Sequence, residues 1–208
     1  MTQSGNRRWA LGTLAASTTT LALAALTRPV AALTPAQTEG PYYPSPRMRF
    51  SDTDNDLVRI DGKVREAGGE IIILKGRVLD GTGSPVAGAR VEIWQCDANG
   101  RYLHSRESGP AERDAAFQGF GHAVTQKDGT YAFRTIKPVA YPGRTPHIHV
   151  KVFSGNTELT TQFYIAGHPQ NNRDSLYRRL SPEQRKLVEM QFKSGADWPE
   201  TSVDLIVS

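Results

Sequence analysis

The amino-acid sequence predicts an all-β fold: an antiparallel β-sandwich that follows an extended N-terminal arm and ends with a short C-terminal helix. Short runs of β-branched and alternating apolar residues recur from residue 71 onward. Glycine-containing turn signals separate these runs, and a helix-start signal occurs only near the end of the chain. Short strands at this spacing are typical of two packed sheets, and 208 residues suffice for one such domain with a hydrophobic core.

The strand candidates are defined by their composition and by the turns between them. Residues 71–80 are rich in isoleucine, leucine and valine, and they stop at the turn dipeptide Asp80-Gly81. A second turn signal follows at residues 127–129. The predicted strands cover Ile71–Asp80, Ala89–Cys96, Tyr131–Phe133, His147–Phe153, Leu159–Ile165 and Val203–Val207.

The regions on either side of the strands have their own signals. Residues 33–70 form the predicted arm, because the segment up to Asp61 is rich in proline, serine and aspartate. Residues 181–184 form a capping box with proline at the first helical position, which predicts a helix to about Phe192. The sandwich domain is therefore assigned to residues 71–208.

The first 32 residues predict an export signal. Arg7 and Arg8 precede an apolar run over residues 10–26, and small residues at 30–32 complete the pattern of a cleavable secretory signal. The paired arginines resemble a twin-arginine signal. We therefore expect a periplasmic or extracellular protein with no membrane span once residues 1–32 are removed. An uncleaved anchor is the alternative, because the apolar run is almost long enough to span a bilayer.

Charge and cysteine content exclude several classes of partner and site. The formal charge is +4, but the first 32 residues hold three arginines and no acid, so the rest carries 22 basic against 21 acidic residues. A nearly neutral domain gives no electrostatic basis for binding nucleic acid or an anionic membrane. Cys96 is the only cysteine, which excludes an intrachain disulfide and a multi-thiolate zinc site. We expect Cys96 to pack as a small apolar residue.

The segment from Tyr141 to His149 is the most informative for chemistry. His147 and His149 lie two residues apart in a predicted strand, so their side chains point to the same face and can hold one metal ion. The pair alone suits zinc, copper or iron, and histidines at this spacing also occur by chance on a surface or in a core.

A nearby tyrosine favours ferric iron among these metals. A phenol is normally neutral, with a pKa of about 10, but a strongly charged cation stabilises its phenolate form. Two phenolates and a hydroxide would cancel the charge of Fe(III), which makes a buried site tolerable. Because Tyr141 lies close to His147 in the chain, a ferric site calls for one further tyrosine.

Seven segments in order along the chain carry a family resemblance: Thr38–Tyr43, Val91–Gln95, Asn99–Tyr102, Thr125–Pro138, Tyr141–Pro142, Pro146–His149 and Thr161–Tyr164. Together they cover most of residues 38–166 and resemble the intradiol ring-cleavage dioxygenases, the group that includes catechol and protocatechuate dioxygenases. Each segment is short, but the ordered set is specific.

The resemblance implies roles for individual residues. The implied ligands of one Fe(III) per active site are Tyr102, Tyr141, His147 and His149. Arg144 corresponds to the family's active-site arginine, and Gln162 corresponds to a glutamine just outside the metal ligands. The segment Gly40, Pro41 and Tyr42 belongs to a motif that lies near the substrate pocket in some members.

The resemblance also implies a reaction. A catechol-type ring would be opened by O2 between its two hydroxylated carbons, giving a muconate-type diacid. The small aromatic diol would chelate the metal and displace Tyr141, which would then accept a substrate proton, and Arg144 would stabilise negative charge on the ring. The substituents of the diol stay open, as does the choice between a monomer and a homo-oligomer.

One segment departs from the family pattern. Only five residues separate Tyr141 from His147, where the family has a longer loop. Gly143 also stands where protocatechuate-type members have an aromatic residue. We therefore expect a pocket that is more open on this side, and the identity of the substrate does not carry over.

Two other interpretations remain. Residues 76–93 resemble transthyretin-like (prealbumin-like) sandwich domains, which often only bind, and a non-catalytic exported binding module would contain no metal. Alternatively, a zinc or copper enzyme could use His147 and His149 with a carboxylate, and it would lack the visible absorption of a tyrosinate. The residues expected to have structural or surface roles are His104, His122, His168 and Trp94, the last of these in the core.

Overall fold

A computed structural model of the chain describes residues 31–208. The predicted export signal at residues 1–32 falls outside this range except for its last two residues, so export stays a prediction. Across residues 31–208, no helix combines the length and the apolar character that a membrane crossing requires.

The described chain is built mainly from strands. They are β1 (Ile71–Asp80), β2 (Arg90–Trp94), β3 (Phe120–Val124), β4 (Thr130–Ile136), β5 (His147–Ser154), β6 (Thr157–Ile165), β7 (Glu189–Met190), β8 (Glu200–Ser202) and β9 (Leu205–Val207). The helices are α1 (Ser175–Arg178) and α2 (Pro182–Lys186), with short 3₁₀ helices at Pro46–Met48 and Pro169–Arg173.

The strands form two sheets, which confirms the predicted β-sandwich. One sheet has the order β4-β1-β8, with β9 also paired to β1, and the other has the order β3-β2-β5-β6-β7. The long strands pair antiparallel, as predicted. The short strands β8 and β9 pair parallel to β1, and β7 pairs parallel to β6, so both sheets are mixed.

Strand β5 is buried on both faces, and this property positions the site. Its residues Ile148, Val150 and Val152 point into the main core between the sheets. The alternate residues His147, His149 and Lys151 lie on the outer face, yet they too are buried. The arm covers them: Gln37 N–H donates to the Thr160 carbonyl, and Lys151 Nζ contacts Glu39 Oε2 at 2.5 Å.

Strand β1 has the predicted bounds, but β3 was missed. The β3 sequence, Phe-Gly-His-Ala-Val, has no clear alternation of apolar and polar residues. Gly121 in this strand is required by packing, because an added Cβ would lie 2.4 Å from Leu57 Cδ1 and 2.6 Å from the Asp54 carbonyl oxygen. The arm therefore presses directly against β3, a contact that local periodicity does not report.

The C-terminal helix begins as predicted but ends early. The capping box at Ser181 and Gln184 is present, with Pro182 at the helix start. The expected extension to Phe192 is wrong, because Lys186 ends the helix and residues 189–190 pair with β6. Val188 and Met190 are fully buried there. Burying these side chains overrides the local helix propensity, which is only a weak determinant of structure.

Candidate active site

The two histidines of β5 meet on the outer face of the five-stranded sheet. Their Nε2 atoms lie 3.2 Å apart, as expected for residues two apart in a strand. His147 is 1% exposed and His149 is 2% exposed. Trp94, directly opposite His149 on β2, stacks on its ring at 4.7 Å and 9°. Trp94 is fully buried, as predicted, and fixes the plane of the His149 imidazole.

Tyr102 reaches the histidines from a turn after β2. Its phenol oxygen lies 3.4 Å from His147 Nε2, and its side chain is buried. The turn is held by Asp97, whose carboxylate accepts hydrogen bonds from the backbone N–H groups of Asn99 and Arg101. Gly100 has a φ of 74°, a conformation that glycine adopts without strain.

Tyr141 enters from a separate tight turn. Arg144 N–H donates to the Tyr141 carbonyl at 2.9 Å, with Pro142 and Gly143 at the centre of the turn. Gly143 has a φ of 82°, as the third position of a type II turn requires. The Tyr141 ring centroid lies 5.4 Å from that of Tyr102 and 5.5 Å from that of His147. All four candidate ligands are thus in one cluster.

The donor set fits a single metal ion. Ligand atoms bound at about 2.0–2.2 Å from one metal lie roughly 3 Å from each other, which matches the 3.2 and 3.4 Å separations. His147 Nδ1 lies 2.7 Å from the Thr145 carbonyl, so it carries the proton and leaves Nε2 free for a metal. Within residues 31–208, no group of three or more histidine, cysteine or carboxylate side chains is arranged to hold a metal ion.

Burial sets the protonation states of the cluster. Burial and the nearby Arg144 lower the pKa of His147 to about 3, and burial and the neighbouring His147 hold the pKa of His149 well below its usual value, so both imidazoles are neutral. Burial also raises the pKa of Tyr102 and of Tyr141, although Arg144 partly opposes the rise at Tyr141. Both phenols therefore stay neutral until a bound cation stabilises their anions.

Arg144 is held in place by two partners. Its Nε donates to Asp174 Oδ2 at 2.7 Å, and its Nη2 donates to Gln162 Oε1 at 2.6 Å. A third nitrogen, Nη1, lies 3.4 Å from the Tyr141 hydroxyl oxygen. Gln162 in turn donates to the Thr38 carbonyl at 3.0 Å, which ties the arm to the site.

The arm residues predicted to line the substrate pocket lie over the cluster. The Tyr42 ring stacks on Tyr102 with centroids 4.7 Å apart, and its centroid is 6.5 Å from that of Tyr141. A Cβ added at Gly40 would lie 3.5 Å from His149 Cε1, so the arm backbone passes close to that ligand. Pro41 is exposed.

Asp174 is the residue of this site that the sequence did not reveal. Its carboxylate is fully buried and pairs with Arg144. It also caps α1, because Oδ1 accepts hydrogen bonds from the N–H groups of Leu176 and Tyr177. An aspartate before a short helix is a recognisable capping signal, but nothing in that signal points to an arginine 30 residues away.

The remaining predicted residues lie outside the cluster. His168 Nδ1 accepts from Gln170 N–H at the start of a 3₁₀ helix, His122 lies on β3, and the His104 ring is 5.8 Å from that of Tyr42. Cys96 is buried, and burial raises the pKa of its thiol to about 12, so it packs as an inert apolar residue.

A cavity of about 420 Å³ adjoins the cluster through Tyr141 and Arg144. Small-molecule sites commonly range from about 300 to 1,000 Å³, so this space can accept an organic substrate. A larger cavity of about 730 Å³ contains none of the predicted site residues and is lined by residues of β1, β3 and β4. The presence of Tyr141 and Arg144 therefore favours the smaller cavity as the substrate site.

Comparison with known proteins places the chain in a family. Residues 38–206 match the sequence profile of a family described as "Dioxygenase". A protocatechuate 3,4-dioxygenase beta chain from Burkholderia cepacia is 40% identical over 148 residues, which cover 67% of this chain and 63% of that one. A catechol 1,2-dioxygenase from Acinetobacter lwoffii is 34% identical over 155 residues, covering 65% and 47%. The chain thus spans less than two thirds of the length of these relatives.

Solved structures agree with this match. The dioxygenase domain of a dioxygenase and carbohydrate-binding fusion protein from Streptomyces sp. SirexAA-E superimposes with a TM-score of 0.62 and 31% identity, covering 84% of this chain and 97% of that one. An intradiol ring-cleavage dioxygenase from Tetranychus urticae shares the fold, with a TM-score of 0.67 and 23% identity over 86% and 95% of the two chains. With its profile match and its sequence relatives, the chain belongs to the intradiol ring-cleavage dioxygenase family.

Proposed function

We propose that this protein is an exported, Fe(III)-dependent intradiol dioxygenase that opens a catechol-type ring between its two hydroxylated carbons with O2, giving a muconate-type diacid. The observation that carries the proposal is the convergence of two phenol oxygens and two imidazole nitrogens in one buried cluster. Phenolate oxygen is a hard, anionic donor and suits a trivalent cation. Bound Fe(III) would act as a Lewis acid and as a template for the diol.

Tyr141 is suited to receive a proton from the substrate. Among the four donor residues, it alone lines the cavity of about 420 Å³. Its side chain is less buried than that of Tyr102, so it can move aside at a lower cost in packing. Arg144 Nη1, 3.4 Å from the Tyr141 hydroxyl oxygen, favours the phenolate form that accepts the proton.

Arg144 is suited to stabilise negative charge on the substrate ring. Its guanidinium lies beside Tyr141 and on the cavity wall, and Asp174 and Gln162 hold it there before any substrate enters. A donor that is already oriented needs no reorganisation when charge develops, which is the condition for effective electrostatic catalysis. His147, His149 and Tyr102 are each at most 2% exposed, so these three donors have little contact with bulk water.

The test is to purify the protein with one equivalent of iron, record its visible spectrum and measure O2 uptake with catechol. We expect a charge-transfer band from tyrosinate bound to Fe(III), and one O2 consumed for each ring-opened diacid formed. A zinc- or copper-loaded protein that is active without such a band would overturn the assignment of iron. A protein that binds no iron, stays colourless and consumes no O2 with any catechol would favour a binding module.

Export is the second part of the proposal, and it rests on residues 1–32 alone. Replacing Arg7 and Arg8 together with lysine keeps the positive charge but removes the paired arginines. We expect the variant to accumulate inside the cell while the unchanged protein is recovered outside the cytoplasm, as measured by immunoblotting of cell fractions. Equal distribution of the two proteins would contradict a twin-arginine signal.

A further inference from the structure

The wall of the cavity beside Tyr141 carries an excess of positive charge. Its charged residues are Arg144, Arg173 and Asp174. Asp174 is already engaged by Arg144 and by backbone N–H groups, and its side chain is fully buried. Its carboxylate therefore cannot also neutralise Arg173. An anion that enters this cavity meets an attractive field, because the one acid on the lining, Asp174, is already paired.

Arg173 differs from the other arginines that line the cavities beside Tyr102 and Tyr141. Arg101 lies 3.6 Å from Glu107, Arg113 donates to the Phe117 carbonyl, and Arg144 pairs with Asp174. The Arg173 side chain, by contrast, forms no hydrogen bond or ion pair with any residue from 31 to 208. Its guanidinium is exposed at the end of the 3₁₀ helix Pro169–Arg173, available to a ligand.

The cavity is also open beyond the point where a substrate ring would lie. Gly143 is exposed, and an atom placed at its Cβ position would meet nothing within 4 Å. Gln170 adds a neutral polar side chain on the segment that contains Arg173. A ring held beside Tyr141 and Arg144 therefore leaves room for a substituent toward the segment of residues 170–173.

We propose that Arg173 is a specificity-determining residue that selects catechols bearing an anionic group on a side chain extending from the ring. This inference rests on the proposed function, because it places the diol end of the substrate at Tyr141. Arg173 contacts the substituent and not the reacting carbons, so its effect falls on KM and leaves kcat nearly unchanged. The ion pair is partly exposed, so added salt weakens it.

The experiment compares three substrates with the iron-loaded protein: catechol, caffeate and methyl caffeate. Caffeate and its methyl ester have nearly the same shape, but only caffeate carries a carboxylate. We expect kcat/KM for caffeate to exceed that for the ester by about fivefold, the size of a partly exposed ion pair. Arg173→Gln should remove this preference through KM, and Arg173→Glu should reverse it. Arg178→Gln, which changes an exposed arginine of α1 that does not line the cavity, is the matched control.

A direct binding measurement separates recognition from turnover. Calorimetric titration with 4-hydroxycinnamate and with its methyl ester should show tighter binding of the anion to the unchanged protein and to Arg178→Gln, but not to Arg173→Gln. Equal caffeate preference in the unchanged protein and in Arg173→Gln overturns the inference and leaves the proposed function intact. Absence of O2 uptake with all three substrates overturns the proposed function, whereas a charge-dependent binding difference at Arg173 would still show that the wall selects anions.

Discussion

Tyr102→Phe is expected to remove the visible charge-transfer band and to lower ring-opening activity by more than about a hundredfold. Changes to groups that merely orient metal ligands already cost about 10- to 100-fold in affinity or activity, and this substitution deletes a donor atom. The phenol oxygen lies 3.4 Å from His147 Nε2, and Tyr102 is 2% exposed, so water has no easy path to replace it. Iron content, absorbance and O2 uptake should fall together.

Tyr131→Phe provides the matched control for this substitution. Tyr131 is equally a buried tyrosine, but its hydroxyl donates to the Val203 carbonyl at 2.6 Å, away from the cluster. Removing that hydrogen bond should cost about 1 kcal/mol of stability while iron content and colour are kept. If Tyr102→Phe behaves like Tyr131→Phe, with colour and activity retained, Tyr102 is not a ligand.

Asp174→Ala is expected to produce the largest loss of stability of any substitution near the site, about 3–5 kcal/mol. The carboxylate is fully buried and accepts hydrogen bonds from Arg144 Nε and from the N–H groups of Thr145, Leu176 and Tyr177. Its removal leaves a half-buried guanidinium without its counterion and several buried donors unpaired. Chemical denaturation of the purified variant measures the change in unfolding free energy.

The same substitution should slow the reaction through Arg144. Without Asp174, the guanidinium keeps only its contacts with Gln162 and Tyr141, and a misplacement of about 1 Å in a catalytic group can cost about a hundredfold in rate. Asp174→Asn keeps the size and part of the hydrogen bonding, so it should fold and still lose activity. A variant with full activity and weakened folding would limit Asp174 to a structural role.

Asp204→Ala is the control for an ion pair near the surface. Asp204 contacts Arg77 at 2.8 Å, but their side chains are 34% and 52% exposed. Solvent screens such pairs, so their contribution to stability is at most about 1 kcal/mol. If Asp204→Ala and Asp174→Ala lower the free energy of unfolding by similar amounts, burial is not the reason that Asp174 stabilises the protein.

The contribution of Asp174 also predicts a pH dependence of stability. Burial raises its pKa, but hydrogen bonds from Arg144 and from the Tyr177 and Thr145 backbone outweigh burial and hold the pKa below its usual value. Because the pKa of Asp174 is lower in the folded than in the unfolded protein, its stabilisation is complete at pH values above the unfolded pKa of about 3.9. The stabilisation is lost as the pH falls through the pKa of the folded protein. The difference in unfolding free energy between the unchanged protein and Asp174→Asn should therefore shrink in acid.

Local patterns predicted most of the strands, and they failed where tertiary contacts intervene. Strand β1 was predicted with its observed bounds because ten residues rich in β-branched side chains end at a clear turn. Strand β3 was missed because its sequence has no clear alternation of apolar and polar residues. The reason for its glycine is a contact with Leu57, which lies far away in the sequence. The helix at Pro182 was predicted at its start, where the cap is local, and not at its end, where pairing with β6 decides.

The sequence by itself determined that His147 and His149 share one face of a strand, because the alternation of side chains is a property of the extended backbone. It also determined the tight turn at Tyr141, because proline and glycine limit the backbone torsions available there. The family resemblance named Tyr102 as a ligand, but its 3.4 Å approach to His147, 45 residues later, comes from the tertiary structure. Only the tertiary structure decided that Asp174 holds Arg144 and that Arg173 lines the cavity. These contacts arise from packing between distant segments, and neither residue spacing nor local propensity contains that information.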